Sequence, residues 1–153
     1  MSSFRPRSVR RAIAAALVAL PGIAIPLTWL QWRSDLPETL PVQWSGDEVT
    51  TSMPTALVLG ITLLVALGAT VWAVMAAITG SPSDAPRAPY LAGGSAAATA
   101  TIVWLVSGGL AAAAFGTTET PVGLLGLAVF AALLWGFVPF LVAGRTRDPA
   151  HVG

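Results

Sequence analysis

Four long apolar stretches divide the chain, over about residues 12–30, 55–79, 90–115 and 121–143, and every charged residue falls outside them. Each is close to the roughly 20 residues that cross about 30 Å of hydrocarbon as α-helix. The pattern predicts an all-α integral membrane protein with four transmembrane helices. Four such spans use most of the 153 residues and leave no room for a second domain. A charged side chain at the bilayer centre costs about 2.5–3.5 kcal/mol on insertion scales, which is why charge collects in the connections.

The borders of the stretches carry their own signals. The first follows Arg5, Arg7, Arg10 and Arg11 and ends among Trp29 and Trp32. It is longer than the core of a secretory signal, and Pro21 and Pro26 interrupt it where cleavage would occur, so an uncleaved, kinked helix is expected. Neighbouring helices can satisfy the carbonyls that the prolines free. The second stretch follows Met53-Pro54 and stops at Gly80-Ser81-Pro82. The third is poor in Leu and rich in Ala, Gly, Ser and Thr; the fourth opens at Pro121 and closes with Gly144 and Arg145.

Composition adds little to this picture, at 55% hydrophobic, 10% charged and mean hydropathy +0.76, but the distribution of charge orients it. Seven of the eight arginines, all but Arg33, precede the first span, follow the fourth, or lie between the second and third. The positive-inside rule then makes both termini cytoplasmic in a cell membrane, with residues 31–53 and 117–120 outside. An alkaline-phosphatase fusion active after Ala150 contradicts this orientation.

Helices in lipid associate through small residues that allow close backbone approach. Gly94 with Ala98, Gly108 with Ala112, and Ala69, Ala73 and Ala77 stand four apart, so the third helix is expected to lie against its neighbours. The same stripes allow a homo-oligomer, though ordinary packing accounts for them. Trp72, Trp104 and Trp135 lie inside spans, and each indole N–H needs an acceptor, for which Thr70, Thr99, Thr101 and Ser107 are the nearest in sequence.

Candidate chemistry is sparse. Cysteine is absent, His151 is the sole histidine, and no span holds a carboxylate, so neither a catalytic group, a proton relay nor a metal or cofactor site is expected. A net charge of +1 points to no nucleic-acid partner. The partners expected are the lipid bilayer and a peptide or another membrane protein.

The 23-residue loop 31–53 is the one connection long enough to form a site. It sets Arg33 against Asp35, Glu38, Asp47 and Glu48, a net charge of −3 in a spacing that matches no calcium loop. Leu36-Pro37, Leu40-Pro41 and Gly46-Asp47 make it a rigid turn-and-extended lid, and Val42 and Trp44 alternate with polar neighbours as a short strand or extended piece lying on the membrane surface would.

In these residues the chain resembles the module of unknown function at the N-terminus of SdpI-like bacterial immunity and signalling proteins. Leu36-Pro37, Leu40-Pro41, Trp44, Gly46 and Asp47 match the module's pattern, while Gln43 stands where the family usually has histidine. The resemblance implies a non-enzymatic multi-span protein acting by binding, in immunity or signalling, with Leu36, Pro37, Pro41, Gln43, Trp44, Gly46 and Asp47 as the partner-binding loop. The alternatives are a small transport or channel component lined by Thr99, Thr101 and Ser107, or an accessory subunit of a larger membrane complex.

Overall fold

The structure, a computed structural model, describes residues 6–45, 48–79, 87–113 and 122–144. Its elements in chain order are helix α1 (Pro6–Trp32), strands β1 (Thr39–Ser45) and β2 (Glu48–Pro54), and helices α2 (Thr55–Thr79), α3 (Ala88–Ala113), α4 (Val122–Trp135) and α5 (Phe137–Ala143). Four helical segments are long and apolar enough to cross a membrane, the last formed by α4 and α5 together. The architecture is that of a multi-pass membrane protein.

Helix α3 packs against α1, α2, α4 and α5 and is the most buried of the four spans. Its small residues permit this: Gly93, Gly94, Ala97, Ala98 and Ala100 are all buried. By contrast α2 buries a single stripe, Val58, Thr62, Ala66, Ala69, Ala73 and Ala76, spaced by threes and fours along one face. Its large residues, such as Leu64, Val71 and Ile78, point away from the protein, as lipid-facing side chains do.

Helix α1 is continuous through Pro21 and Pro26. A proline has no N–H to donate to the carbonyl four residues back, so Pro21 leaves the Leu17 carbonyl free. The indole N–H of Trp135 donates to that carbonyl at 3.2 Å. The intramembrane tryptophan and the proline on a different helix therefore satisfy one another.

The expected fourth helix is instead broken at Gly136, and the sequence supplies the reason. Pro139 lacks the N–H that would bond the Trp135 carbonyl, and its ring crowds that carbonyl. At the break the Ser95 hydroxyl of α3 donates to the Leu133 carbonyl at 2.7 Å. Here α3 and the broken helix touch backbone to backbone. A Cβ placed on Gly136 would overlap the Leu91 carbonyl oxygen and Ser95 Oγ, and one on Gly94 would lie 2.9 Å from both Gly136 Cα and Pro139 Cγ.

Two indole acceptors differ from the sequence expectation. Trp104, fully buried, donates to Thr28 Oγ1 of α1 at 2.8 Å, and Trp135 uses the Leu17 carbonyl. Thr70 and Thr101 are no acceptors for these rings; their hydroxyls donate to carbonyls one turn back in their own helices, Ala66 and Ala97. Trp72 is half exposed on the outer face of α2.

In the connection between α1 and α2, the short strand or extended piece expected at Val42 and Trp44 is strand β1, and a second strand, β2, pairs with it. Helix α1 runs on through Trp32, and β1 and β2 form an antiparallel hairpin that delivers the chain directly into α2. At the other borders, α1 starts at Pro6 and α3 spans Ala88–Ala113, a few residues from the expected limits.

Candidate functional site: the hairpin between the first two helices

The hairpin is joined to the bundle along one face. Leu40 is fully buried in a cluster with Ile25, Val58, Ala66 and Trp104, against which Leu36, Val42 and Met53 also pack. Leu40 and Val42 share a face because strand side chains alternate, and Leu40 pairs across the sheet with Met53. Trp32 extends the support, its ring meeting α3 where Gly108 and Gly109 leave room: a Cβ on Gly108 would sit 3.4 Å from that ring.

The base of the hairpin is closed by backbone bonds. Thr55 N–H donates to the Glu38 carbonyl at 2.9 Å and its hydroxyl to the Pro37 carbonyl, fixing the start of α2 to the start of β1. Leu36 N–H donates to the Trp32 carbonyl at 3.0 Å. Within the sheet, Thr39 to Pro41 pair with Pro54 to Ser52, then Gln43 pairs with Thr51 and Trp44 with Val49. The register skips Val42 on one strand and Thr50 on the other, two irregularities that cancel before the tip.

The residues expected to form a binding loop thus divide. Gln43 faces out, its amide oxygen accepting from the Thr51 hydroxyl at 3.0 Å. Leu36 and Pro41 are half-buried, Pro37 is exposed with its carbonyl committed to Thr55, and Trp44 lies in β1 opposite Val49. Gly46 and Asp47 lie outside the described residues. Sequence reasoning missed β2 altogether, whose exposed Thr51 and Val49 share the outward part of the hairpin; the β-branched Val49-Thr50-Thr51 was the signal for it.

Asp35, Glu38 and Glu48 are exposed, and no group of three or more potential metal ligands occurs among the described residues. Deeper in the bundle, two shallow grooves flank α3, of about 370 and 320 Å³. Thr99 lines the one shared with α2 and α4, Thr101 the one shared with α1 and α4, and Ser107 is buried. These three polar side chains therefore do not line one path.

Comparison with protein-family models, curated proteins and solved structures returned no match for this chain.

Proposed function

We propose that this chain is a non-enzymatic cell-membrane protein, both termini cytoplasmic, that binds an extended peptide segment of a secreted peptide or membrane partner on the outward side of its hairpin. The observation that carries the reading is the division of the hairpin into a docked face, Leu40, Val42 and Met53, and an exposed one with Gln43, Glu48, Val49 and Thr51. A sheet of two strands keeps an open edge on each, and open edges accept extended peptides through main-chain hydrogen bonds. Pro41 removes one donor from β1 and Pro54 one from the end of β2, which leaves the donors of Glu48–Met53 on β2 uninterrupted by proline. The exposed carboxylates of Asp35, Glu38 and Glu48 favour a basic partner, in recognition and in rate of encounter.

The resemblance of Leu36-Pro37, Leu40-Pro41, Trp44 and Gly46 to the SdpI-like module is consistent with immunity or signalling as the purpose of such binding. Co-purification in mild detergent tests the reading, with Trp44→Ala and Thr51→Pro as variants. Both are expected to lose the partner while the bundle stays folded. If neither changes complex formation, and gene deletion leaves peptide sensitivity unaltered, the reading is abandoned.

A further inference from the structure

The last span is secured at one end only. Among the described residues, the backbone of α4 packs against α3 and α5 and reaches neither α1 nor α2. From Gly126 to Trp135 its one buried residue is Ala132, with Ala128 and Trp135 half-buried, while Leu127, Phe130 and Leu134 are exposed. The hydrophobic effect does not press helices together in lipid, so side-chain packing and interhelical hydrogen bonds have to hold a helix in place. Two alanines supply little packing.

The hydrogen bonds are gathered at the last turn of α4. The Ser95 hydroxyl donates to the Leu133 carbonyl at 2.7 Å, and the Trp135 indole to the Leu17 carbonyl at 3.2 Å. One residue further on, Gly136 lies against Leu91 and Ser95 with no room for a Cβ, and Gly94 meets Gly136 and Pro139 as closely. These contacts fix a single point, the break between α4 and α5. From there toward Val122, α4 has open space on both flanks. A groove of about 320 Å³ separates Ala128 and Ala131 from Leu20 and Pro21 of α1, and one of about 370 Å³ lies on the side of Ile61 and Val65 of α2.

We propose that α4 is a swinging arm with its pivot at Gly136, narrowing the groove beside α1 as it widens the one beside α2, and the reverse. The break uncouples α4 from α5, which stays packed on α1 and α3. A swing of about 20° carries Leu127 roughly 5 Å, at about 1.5 Å of helix per residue from the pivot. Closure toward α1 is sterically easy, because Ala98, Ala128, Ala131 and Ala132 have nothing beyond Cβ to obstruct it. An apolar molecule lodged in one groove holds the arm toward the other, so the two spaces are coupled. The device is independent of the hairpin and of any partner bound there.

Double electron–electron resonance on the full chain in lipid nanodiscs tests it, since a chain without cysteine takes spin labels at two introduced thiols alone. Leu127→Cys on the arm is paired with Leu27→Cys on α1 or with Leu57→Cys on α2, all exposed positions. Each pair is expected to give two populations roughly 5 Å apart, the travel of the arm at that depth. A pair on the far side of the pivot, Ile13→Cys with Leu141→Cys, is expected to give a single narrow one. Single populations in both arm pairs, as narrow as in that control, overturn the proposal. Two populations in the control as well overturn the pivot at Gly136. Ala131→Phe fills the groove beside α1 and is expected to remove the shorter distance between residues 27 and 127. Its persistence in that variant also overturns the proposal, because the shorter distance then does not report closure of the groove.

Discussion

Gly136 and Pro21 show how much of this fold is decided by single atoms. With Leu91 and Ser95 pressed against it, Gly136 has no space for a methyl group, while Gly126 on the same span has nothing within 4 Å of where one would go. Gly136→Ala is therefore expected to lower stability by roughly 1–3 kcal/mol, and Gly126→Ala to leave it unchanged or raised, in thermal unfolding in detergent. A smaller effect at Gly136 than at Gly126 contradicts the backbone contact. The Pro21–Trp135 relation is open to a double-mutant cycle, because Pro21→Ala returns the N–H that satisfies the Leu17 carbonyl. Trp135→Phe is expected to cost about 1 kcal/mol more in the presence of Pro21 than in its absence. Additive effects sink the idea. Proline and tryptophan were both conspicuous in the sequence, but their pairing was not legible, since the two residues lie 114 positions apart and only the packing of α1 on α3 and α5 brings Trp135, at the end of α4, within reach of Leu17.

Among the elements, the helices were legible and the hairpin only in part. Apolar length specifies a span through the cost of charge in hydrocarbon, so the four stretches were recovered within a few residues. The break after Trp135 had its signal in Pro139, which a reading by hydropathy passes over because proline interrupts hydrogen bonding without interrupting the apolar run. β2 was hidden for another reason: Glu48–Pro54 is almost wholly exposed, so it lacks the alternation that marks a half-buried strand. Its place in the fold depends on Leu40, which holds β1 to the bundle. Leu40→Ala is expected to cost about 2–5 kcal/mol and to speed proteolysis within residues 39–54 before any cleavage in the helices. Simultaneous digestion of hairpin and helices would show that the hairpin is not a separate layer resting on the bundle.

At the scale of the whole molecule, the chain is an α3-centred bundle with Arg10, Arg11 and Arg87 at one end and, at the other, Arg33 and a hairpin with exposed carboxylates. The absence of cysteine from the sequence makes its orientation directly measurable, since any introduced thiol is the sole one. Thr51→Cys is expected to react with a membrane-impermeant maleimide added to intact cells, and Arg87→Cys only after permeabilisation. The reverse pattern inverts the proposed orientation and moves the hairpin to the cytoplasm.

The bonds from Thr55 back to Pro37 and Glu38 have one further consequence, for protein engineering. They shut the hairpin off at its base, so the ends of α1 and α2 are held together irrespective of what lies between Ser45 and Glu48, both exposed. Each doubling of a flexible loop costs only about 0.6 kcal/mol in closure entropy. An epitope or fluorogenic tag spliced between Gly46 and Asp47 is thus expected to leave the four spans inserted and folded, giving a handle on the protein that touches neither terminus.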